Sequence, residues 1–449
     1  MKKLLNLRAR KFSQQIVLFP LLLILLASLS YYAPSQSEQV KVISTYPATV
    51  CPAVGNKVAS VASLSNSKIQ RRLINGISKT LNAGKKSLIV LNNDALLVEG
   101  NPGTALTFVN SGWKSVVPCS VSNGEQWFAG GSGALTSKSF LYIVNSGFSD
   151  SSVELQIYTP NGLIEPKSVV ISQNSTKKIS VDTLVPGEDK IVIGVKTLSG
   201  RVSSYLLDER KKGLKSLGAD FVAPVATANK KVTIAGISGL TGKQISNVNS
   251  VAHTLRLLIP GTIDANIDVT INSNDGNFIP EGLSQFNVKN QRVLDIPLTF
   301  APVNQPFSLI IDSDQPVLAS VLSEFAFGKS KEIAWATGAD DLSKWSVNLS
   351  GSKPVLSFSG NKINIQISAT TISGKKIDKK ISGTDFLVWN APSGLNRLQI
   401  TANGKGITGG VIFFPEVGSI GSSYIPMNNG ANLETASEPI SDASVISRG

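Results

Sequence analysis

The sequence predicts an all-β protein in which tandem immunoglobulin-like β-sandwich repeats follow a single N-terminal transmembrane helix. Three observations carry this. Short runs alternate apolar and polar residues, as in "VELQIYT" (153–159), "IDVTINS" (267–273) and "INIQISA" (363–369), which is the pattern of strands with one buried and one wet face. Turn signals separate such runs, with "PNG" at 160–162, "NDG" at 274–276 and "SGK" at 373–375. An uncharged apolar run, Ile16 to Tyr32, stands near the N-terminus.

Taken in chain order, residues 1–14 form a basic tail and 15–33 an anchor. Lys2, Lys3, Arg8, Arg10 and Lys11 precede the apolar run, which ends on two tyrosines. Such flanks hold the N-terminus in the cytoplasm and send the rest outward. A cleaved signal peptide is the rival, because Ser28-Leu29-Ser30 offers small residues at a cleavage spacing. The expected location is therefore the plasma membrane, single-pass with the bulk outside, or secretion after cleavage. Residues 34–49 read as a linker and 50–126 as a degenerate N-terminal β domain. "SKIQRRLINGISKTLNA" (67–83) is the one helix candidate after the anchor, weakened by Gly76.

Three internal copies come next, over 127–225, 226–332 and 333–427. "LYIVNSG" (141–147), "LRLLIPG" (255–261) and "PVLSFSG" (354–360) open them. The turn glycines Gly162, Gly276 and Gly374 come fifteen, fifteen and fourteen residues after these closing glycines. "SGRVSSYLL" (199–207), "SDQPVLASVL" (313–322) and "NGKGITGGVIF" (403–413) read as a late hairpin in each copy. About 100 residues and seven or so short strands match the rhythm of an immunoglobulin-like sandwich. Residues 428–449 are polar and read as a disordered tail.

The chain has two cysteines, Cys51 and Cys119, both beyond the apolar run. In an oxidising compartment such a pair favours one disulfide, worth about 4 kcal/mol for a loop of this length. Two unrelated buried thiols are the alternative. Two cysteines and one distant histidine make no zinc set, and no cofactor is expected. The formal charge is +13, of which the N-terminal tail supplies five. The remaining excess is mild and its clusters small, so an attraction to anionic envelope polymers is allowed while nucleic acid is not expected.

At "GLKSLGADFVAP" (213–224) the chain resembles a family of uncharacterised actinobacterial envelope proteins, filed as a domain of unknown function. Their features match an early Cys51-Pro52, Cys119 ahead of "WFAGG" (127–131), and tandem β units. Phe221 stands where that family leads one to expect Trp. The resemblance covers most of residues 45–425. It implies an all-β fold and an envelope location, and it brings no catalytic residues.

Residues that could carry chemistry are few. His253, the one histidine, has no nucleophile motif around it and reads as a strand-entry residue. Asp264, Asp268 and Asp340-Asp341 could be paired for glycoside hydrolysis, but outward-facing strand or turn acids explain them better. "NSNDGN" (272–277) faintly echoes a calcium loop and reads as a hairpin turn. "AGGSG" (129–133) could cradle a ligand, or serve as a strand exit like "VTIAGISGL" (232–240) and "IAWATGADDL" (333–342). Trp127 and Trp335 then occupy comparable core positions. Trp113, Trp345 and Trp389 remain as possible glycan-contact aromatics.

The leading expectation is a non-catalytic, membrane-anchored extracytoplasmic β-sandwich array, acting as a cell-envelope structural or protein-interaction factor. Its partners would be envelope proteins or anionic wall polymers, and the membrane through the N-terminal helix. A cell-wall glycan-binding module is the alternative, and an envelope hydrolase or transferase a further one.

Overall fold

The alternating runs do form strands. "VELQIYT" lies in a nine-residue strand whose Val153, Leu155 and Ile157 are buried, while Glu154 and Gln156 stay partly exposed. The computed structural model describes residues 49–428, apart from 55–57, 63–68, 78, 82–85, 91–93, 100–102, 111–112, 136, 240–249, 300–305 and 415–420. The expected basic tail and anchor, the linker before Thr49 and the polar tail from 429 lie outside the described residues. Among the described residues no helix is long and apolar enough to cross a membrane, and the protein is all-β, with a single 3-10 turn at Val181–Thr183. The helix candidate at 67–83 contains two strands instead.

The N-terminal unit comprises β1 (Thr49–Cys51), β2 (Val58–Ala62), β3 (Ile69–Leu73), β4 (Lys79–Leu81), β5 (Lys86–Val90), β6 (Leu96–Glu99), β7 (Ala105–Asn110) and β8 (Trp113–Pro118). They form two antiparallel sheets, ordered β1-β6-β3-β4 and β5-β2-β7-β8. Repeat 1 comprises β9 (Glu125–Phe128), β10 (Ser137–Asn145), β11 (Ser151–Thr159), β12 (Gly162–Ile171), β13 (Ser175–Ser180), β14 (Val192–Ser199), β15 (Val202–Lys212) and β16 (Lys215–Val222). Its sheets are β9-β14-β11-β12 and β13-β10-β15-β16, the same order by position.

Repeat 2 comprises β17 (Asn229–Ile237), β18 (Ser250–Leu258), β19 (Ala265–Ser273), β20 (Gly276–Phe278), β21 (Phe286–Val288), β22 (Leu294–Pro297), β23 (Phe307–Phe327) and β24 (Ser330–Thr337). Its sixth and seventh strands are one: the first half of β23 pairs with β17 and β19, the second half with β18 and β24. Repeat 3 fuses differently. It has β25 (Lys344–Ser352), β26 (Pro354–Thr371), β27 (Lys376–Asn390), β28 (Leu395–Ala402), β29 (Thr408–Phe413) and β30 (Ser423–Pro426). β26 is the second and third strand in one, and β27 the fourth and fifth.

One topology therefore occurs four times, strand order 1-6-3-4 over 5-2-7-8. The turn glycines Gly162, Gly276 and Gly374 follow the third strand in each repeat, at φ of +121°, +117° and +85°, where a side chain would be strained. The late segments around Gly200 and Asp314 are not hairpins. β14 and β15 lie in different sheets, so the chain crosses between layers there. Immunoglobulin constant domains instead keep their sixth and seventh strands in one sheet. The boundary placed between 332 and 333 falls inside β24, which pairs with β23 and so belongs to repeat 2. "IAWATG" is accordingly an eighth strand, whereas "WFAGG" and "VTIAGI" belong to first strands, so Trp127 and Trp335 are not equivalent. "SLIVLNNDALLVEG" (87–100) supplies the fifth and sixth strands of the N-terminal unit, and the last hairpin is β7–β8.

The apolar cores run on from unit to unit. Phe108 and Trp113 of the N-terminal unit share a core with Tyr205 and Phe221 of repeat 1. Leu155 and Ile193 of repeat 1 share theirs with Leu322 and Trp335 of repeat 2. Ile234 and Ile267 of repeat 2 cluster with Ile412 and Tyr424 of repeat 3. Leu356 and Val411 of repeat 3 cluster with Ala105 and Val116 of the N-terminal unit, closing the cycle. The eighth strands follow the same order: β8 packs on β16, β16 on β24, β24 on β30 and β30 on β8.

Candidate functional site at the central hub

Where the four eighth strands meet, each contributes one group to a buried polar knot. Asp220 of β16 accepts hydrogen bonds from the Ser115 hydroxyl of β8 (2.6 Å), the Ser423 hydroxyl of β30 (2.7 Å) and the backbone N–H of Trp335 in β24 (2.9 Å). Ser423 also accepts from the Val116 N–H at 3.2 Å. Burial pushes the Asp220 carboxyl up to about 7, against the hydrogen bonds from Ser115, Trp335, Ser423 and Phe221.

Asp208 on neighbouring β15 behaves oppositely. It accepts from Trp335 Nε1 (3.0 Å), Ser139 Oγ (2.8 Å), Ser137 Oγ (3.1 Å) and Arg210 Nε (3.1 Å). Burial alone would raise it, but the Arg210 charge and those hydrogen bonds outweigh that and hold it below the ordinary carboxylate range. The indole of Trp335 lies near two guanidiniums, with Arg256 Cζ 5.1 Å and Arg210 Cζ 5.9 Å from its ring centre.

Beside the knot a cleft of about 450 Å³ opens between repeats 1 and 2, lined by Ser137, Arg210, Arg256, Asp295, Glu324 and Glu332 among others. Arg256 is buried and uses its whole fork. Nε and Nη2 reach Asp295 at 2.8 and 2.9 Å, Nη1 reaches the carbonyls of Gly131 and Ile191 at 2.9 and 3.1 Å, and Nη2 that of Asp189 at 3.3 Å. Glu332 accepts through Oε1 from the N–H groups of Ala219 (3.0 Å) and Ile333 (3.2 Å). Its Oε2 is buried with no hydrogen-bond partner. Burial pushes this carboxyl up to about 9, with the Asp220 charge adding to it, so it is a neutral acid at pH 7.

The glycine cluster "AGGSG" belongs to this junction. A Cβ on Gly130 would lie 2.8 Å from a Val222 methyl, and one on Gly133 only 2.2 Å from the Val185 carbonyl oxygen. Gly131 has φ +82° and gives its carbonyl to Arg256. The cluster thus exists for close packing and one left-handed turn, and it accepts from an arginine of the next unit.

The other residues singled out from sequence lie elsewhere. Cys51 and Cys119 are disulfide-bonded, and Val50 beside Cys51 pairs with Ser120 beside Cys119. Trp113, Trp345 and Trp389 are 1%, 5% and 7% exposed, so these expected glycan contacts are core side chains. Trp127 and Trp335 are also buried. His253 sits in β18 with Nδ1 2.9 Å from the Ser323 hydroxyl. Burial pushes it down to about 4, and Ser323 is itself buried. Asp264 and Asp268 fasten the loop that follows β20, through Lys289 and Asn290 and through Ser284 and Gln285. Asp341 accepts from Gly406 N–H. "NDG" is the β19–β20 turn. Among the described residues no group of three His, Cys, Asp or Glu side chains could hold a metal.

Sequence reasoning missed Asp208, Asp220, Arg256 and Glu332. Arg256 left a signal, a charge inside the apolar run "LRLLI" of a second strand. Asp208 left none, since an acid in an alternating strand normally faces water; Asp220 stands in the "GADFVAP" stretch that carries the resemblance, where nothing marked it as inward.

Comparison with known proteins gives a family whose function is unknown. A model for a family of unknown function, DUF5719, matches residues 114–381, more than half of the chain. No curated protein matches it. A crystal structure of a tetra-tandem repeat from the extending region of a large adhesion protein shares 10% identity, over 84% of this chain and 94% of that one. Its TM-score is 0.10. From its β8 strand to the middle of repeat 3, then, the chain carries one family's signature, and it belongs to the family of unknown function DUF5719.

Proposed function

We propose that this chain is a non-catalytic extracytoplasmic scaffold, a cell-envelope structural or protein-interaction factor held to the membrane by its N-terminal apolar segment. One observation carries the proposal. Apart from one oxygen of Glu332, which has no partner, the buried carboxylates and the arginine at the centre are engaged by groups of neighbouring units: Asp220 binds three other units, Asp208 binds Trp335 of repeat 2, and Arg256 binds three carbonyls of repeat 1. Such saturation builds a rigid body, whose outward loops and sheet faces are left for partners. Catalysis would instead need a reactive group open to substrate. The Cys51–Cys119 bond supports an oxidising compartment, and the basic flank before Ile16 supports export of the chain beyond it. Each unit is, in this proposal, a variant immunoglobulin-like sandwich whose first, fourth and seventh strands have changed sheets, and the family is the actinobacterial envelope family that the "GADFVAP" stretch implies.

Crosslinking the anchored chain in intact cells, followed by pull-down and mass spectrometry, tests this. A reproducible set of envelope proteins is the expected result. Turnover of a wall-derived substrate by the purified chain, abolished by Glu332→Gln, would refute it in favour of an envelope enzyme.

A further inference from the structure

The positive charge is segregated by unit. Residues 49–124 hold eight basic and two acidic residues, and 344–426 hold nine and three, a net +6 each. Residues 125–222 hold eleven and ten, and 229–337 eight and nine, so repeats 1 and 2 are nearly neutral. The two basic units adjoin, since β25 packs on β2 and β7.

In repeat 3 part of this charge stands on one sheet face. Trp345, Val347, Ile365, Ile367, Leu398 and Ile400 turn inward from the sheet β25-β28-β26-β27 to the core. The residues between them form outward rows across the strands. One row is Lys344, Thr401, Gln366, Lys380; the next is Ser346, Gln399, Ser368, Asp378; a third adds Arg397, Thr370, Lys376. A hollow of about 310 Å³ lies over the first two rows. The equivalent faces of the other repeats balance their cations with acids: Glu125, Lys196 and Glu154 in repeat 1, and Lys231, Asp312 and Asp268 in repeat 2. The repeat 3 rows carry four cations and one acid.

We propose that this outer face of repeat 3 binds an extended anionic polysaccharide, with Lys376, Lys380 and Arg397 pairing its acidic groups and Gln366, Gln399 and Ser368 bonding its hydroxyls. Neighbouring strands lie about 4.8 Å apart, so a glycan laid across them meets a polar side chain of a fresh strand at each step. A protein partner would call for an apolar centre, whereas no large apolar side chain is exposed in these rows. The inference supplies one partner for the scaffold of the preceding section and stands on different observations.

Titration calorimetry of the full-length chain with polygalacturonate, and with dextran as the neutral control, provides the test. Polygalacturonate is expected to bind and weaken as salt rises from 50 to 200 mM, while dextran does not bind. The triple variant Lys376→Gln/Lys380→Gln/Arg397→Gln should lose about ten-fold in affinity. Gln366→Ala/Gln399→Ala, which leaves charge unchanged, should lose about five-fold. Lys138→Gln/Lys196→Gln/Lys215→Gln, on exposed positions of repeat 1, should stay within two-fold. No polygalacturonate binding, equal dextran binding, or equal loss in both triple variants would overturn the inference. Absent glycan binding beside a fixed set of crosslinked proteins would remove this inference alone. Glycan binding without any such set would remove only the protein-interaction role.

Discussion

Replacing Asp220 and Ser423 by alanine, singly and together, tests whether repeats 1 and 3 meet at the hub. Asp220→Ala removes three hydrogen bonds, of 2.6, 2.7 and 2.9 Å. The Ser115 and Ser423 hydroxyls lie 3.3 Å apart and can re-pair with each other. The Trp335 N–H has no such recourse, and a buried orphan donor costs about 1–3 kcal/mol. Adding the lost bonds to the hydroxyls brings the expected loss to about 3 kcal/mol. Ser423→Ala removes one donor to Asp220 and the acceptor of the Val116 N–H, about 2 kcal/mol. The two share one bond, so the double mutant should fall short of additivity by about 1 kcal/mol. Urea midpoints followed by tryptophan fluorescence measure all four corners of the cycle, and amide exchange at Val116 should accelerate in Ser423→Ala. A coupling below about 0.3 kcal/mol, the additivity expected of distant sites, would mean that β30 does not reach β16 and that the cyclic arrangement is wrong.

Three further outcomes are expected from the same geometry. Glu332 is raised from 4.5 to about 9 and Asp220 from 3.8 to about 7. A raised carboxyl binds its proton more tightly when folded, so its stabilising contribution is full below the unfolded value and is lost as pH rises through the folded one. Stability should therefore fall between about pH 5 and 9, and Glu332→Gln should flatten that fall by up to about 1.4 kcal/mol per pH unit; denaturation curves at several pH values that run parallel for both proteins would refute it. Arg256→Lys cannot reproduce a fork that holds Asp295 and three carbonyls, and should cost about 3–5 kcal/mol; a loss under about 1 kcal/mol in the urea midpoint would count against that geometry. Reducing Cys51–Cys119, which closes a sequence separation of 68, should cost about 4 kcal/mol and shift the gel mobility of the chain.

What could be read from the sequence was what repeats locally. Alternation in "VELQIYT" and "INIQISA" reports which face of a strand is wet, and that is settled within one sheet. Gly162, Gly276 and Gly374 were visible because a third-strand turn needs positive φ in every copy. The fusion of two strands into β23 was not visible, because "SDQPVLASVL" carries turn residues and still runs on as one extended chain; a crossing between layers and a hairpin share that composition. The eighth strand was misassigned for a related reason. "IAWATG" is apolar and ends on small residues, as "WFAGG" does, and only pairing to β23 tells a closing strand from an opening one.

The hub was illegible because its logic is collective. Ser115, Asp220 and Ser423 each sit in a strand where a polar residue ordinarily points to solvent, and no local pattern marks them as inward. Their positions make sense only when all four eighth strands are present. Removing β30 would orphan the Val116 N–H and leave one oxygen of Asp220 with Ser115 alone; removing β24 would orphan the other oxygen and take the Trp335 donor from Asp208. An apolar centre would tolerate a missing or misordered unit with a cavity, whereas orphaned buried polar groups cost more than their bonds contribute. The polar knot therefore favours one assembly, four units in one cyclic order, over partial ones. That selectivity is what an assembly of four units of one topology requires, since the strand order alone does not distinguish one neighbour from another.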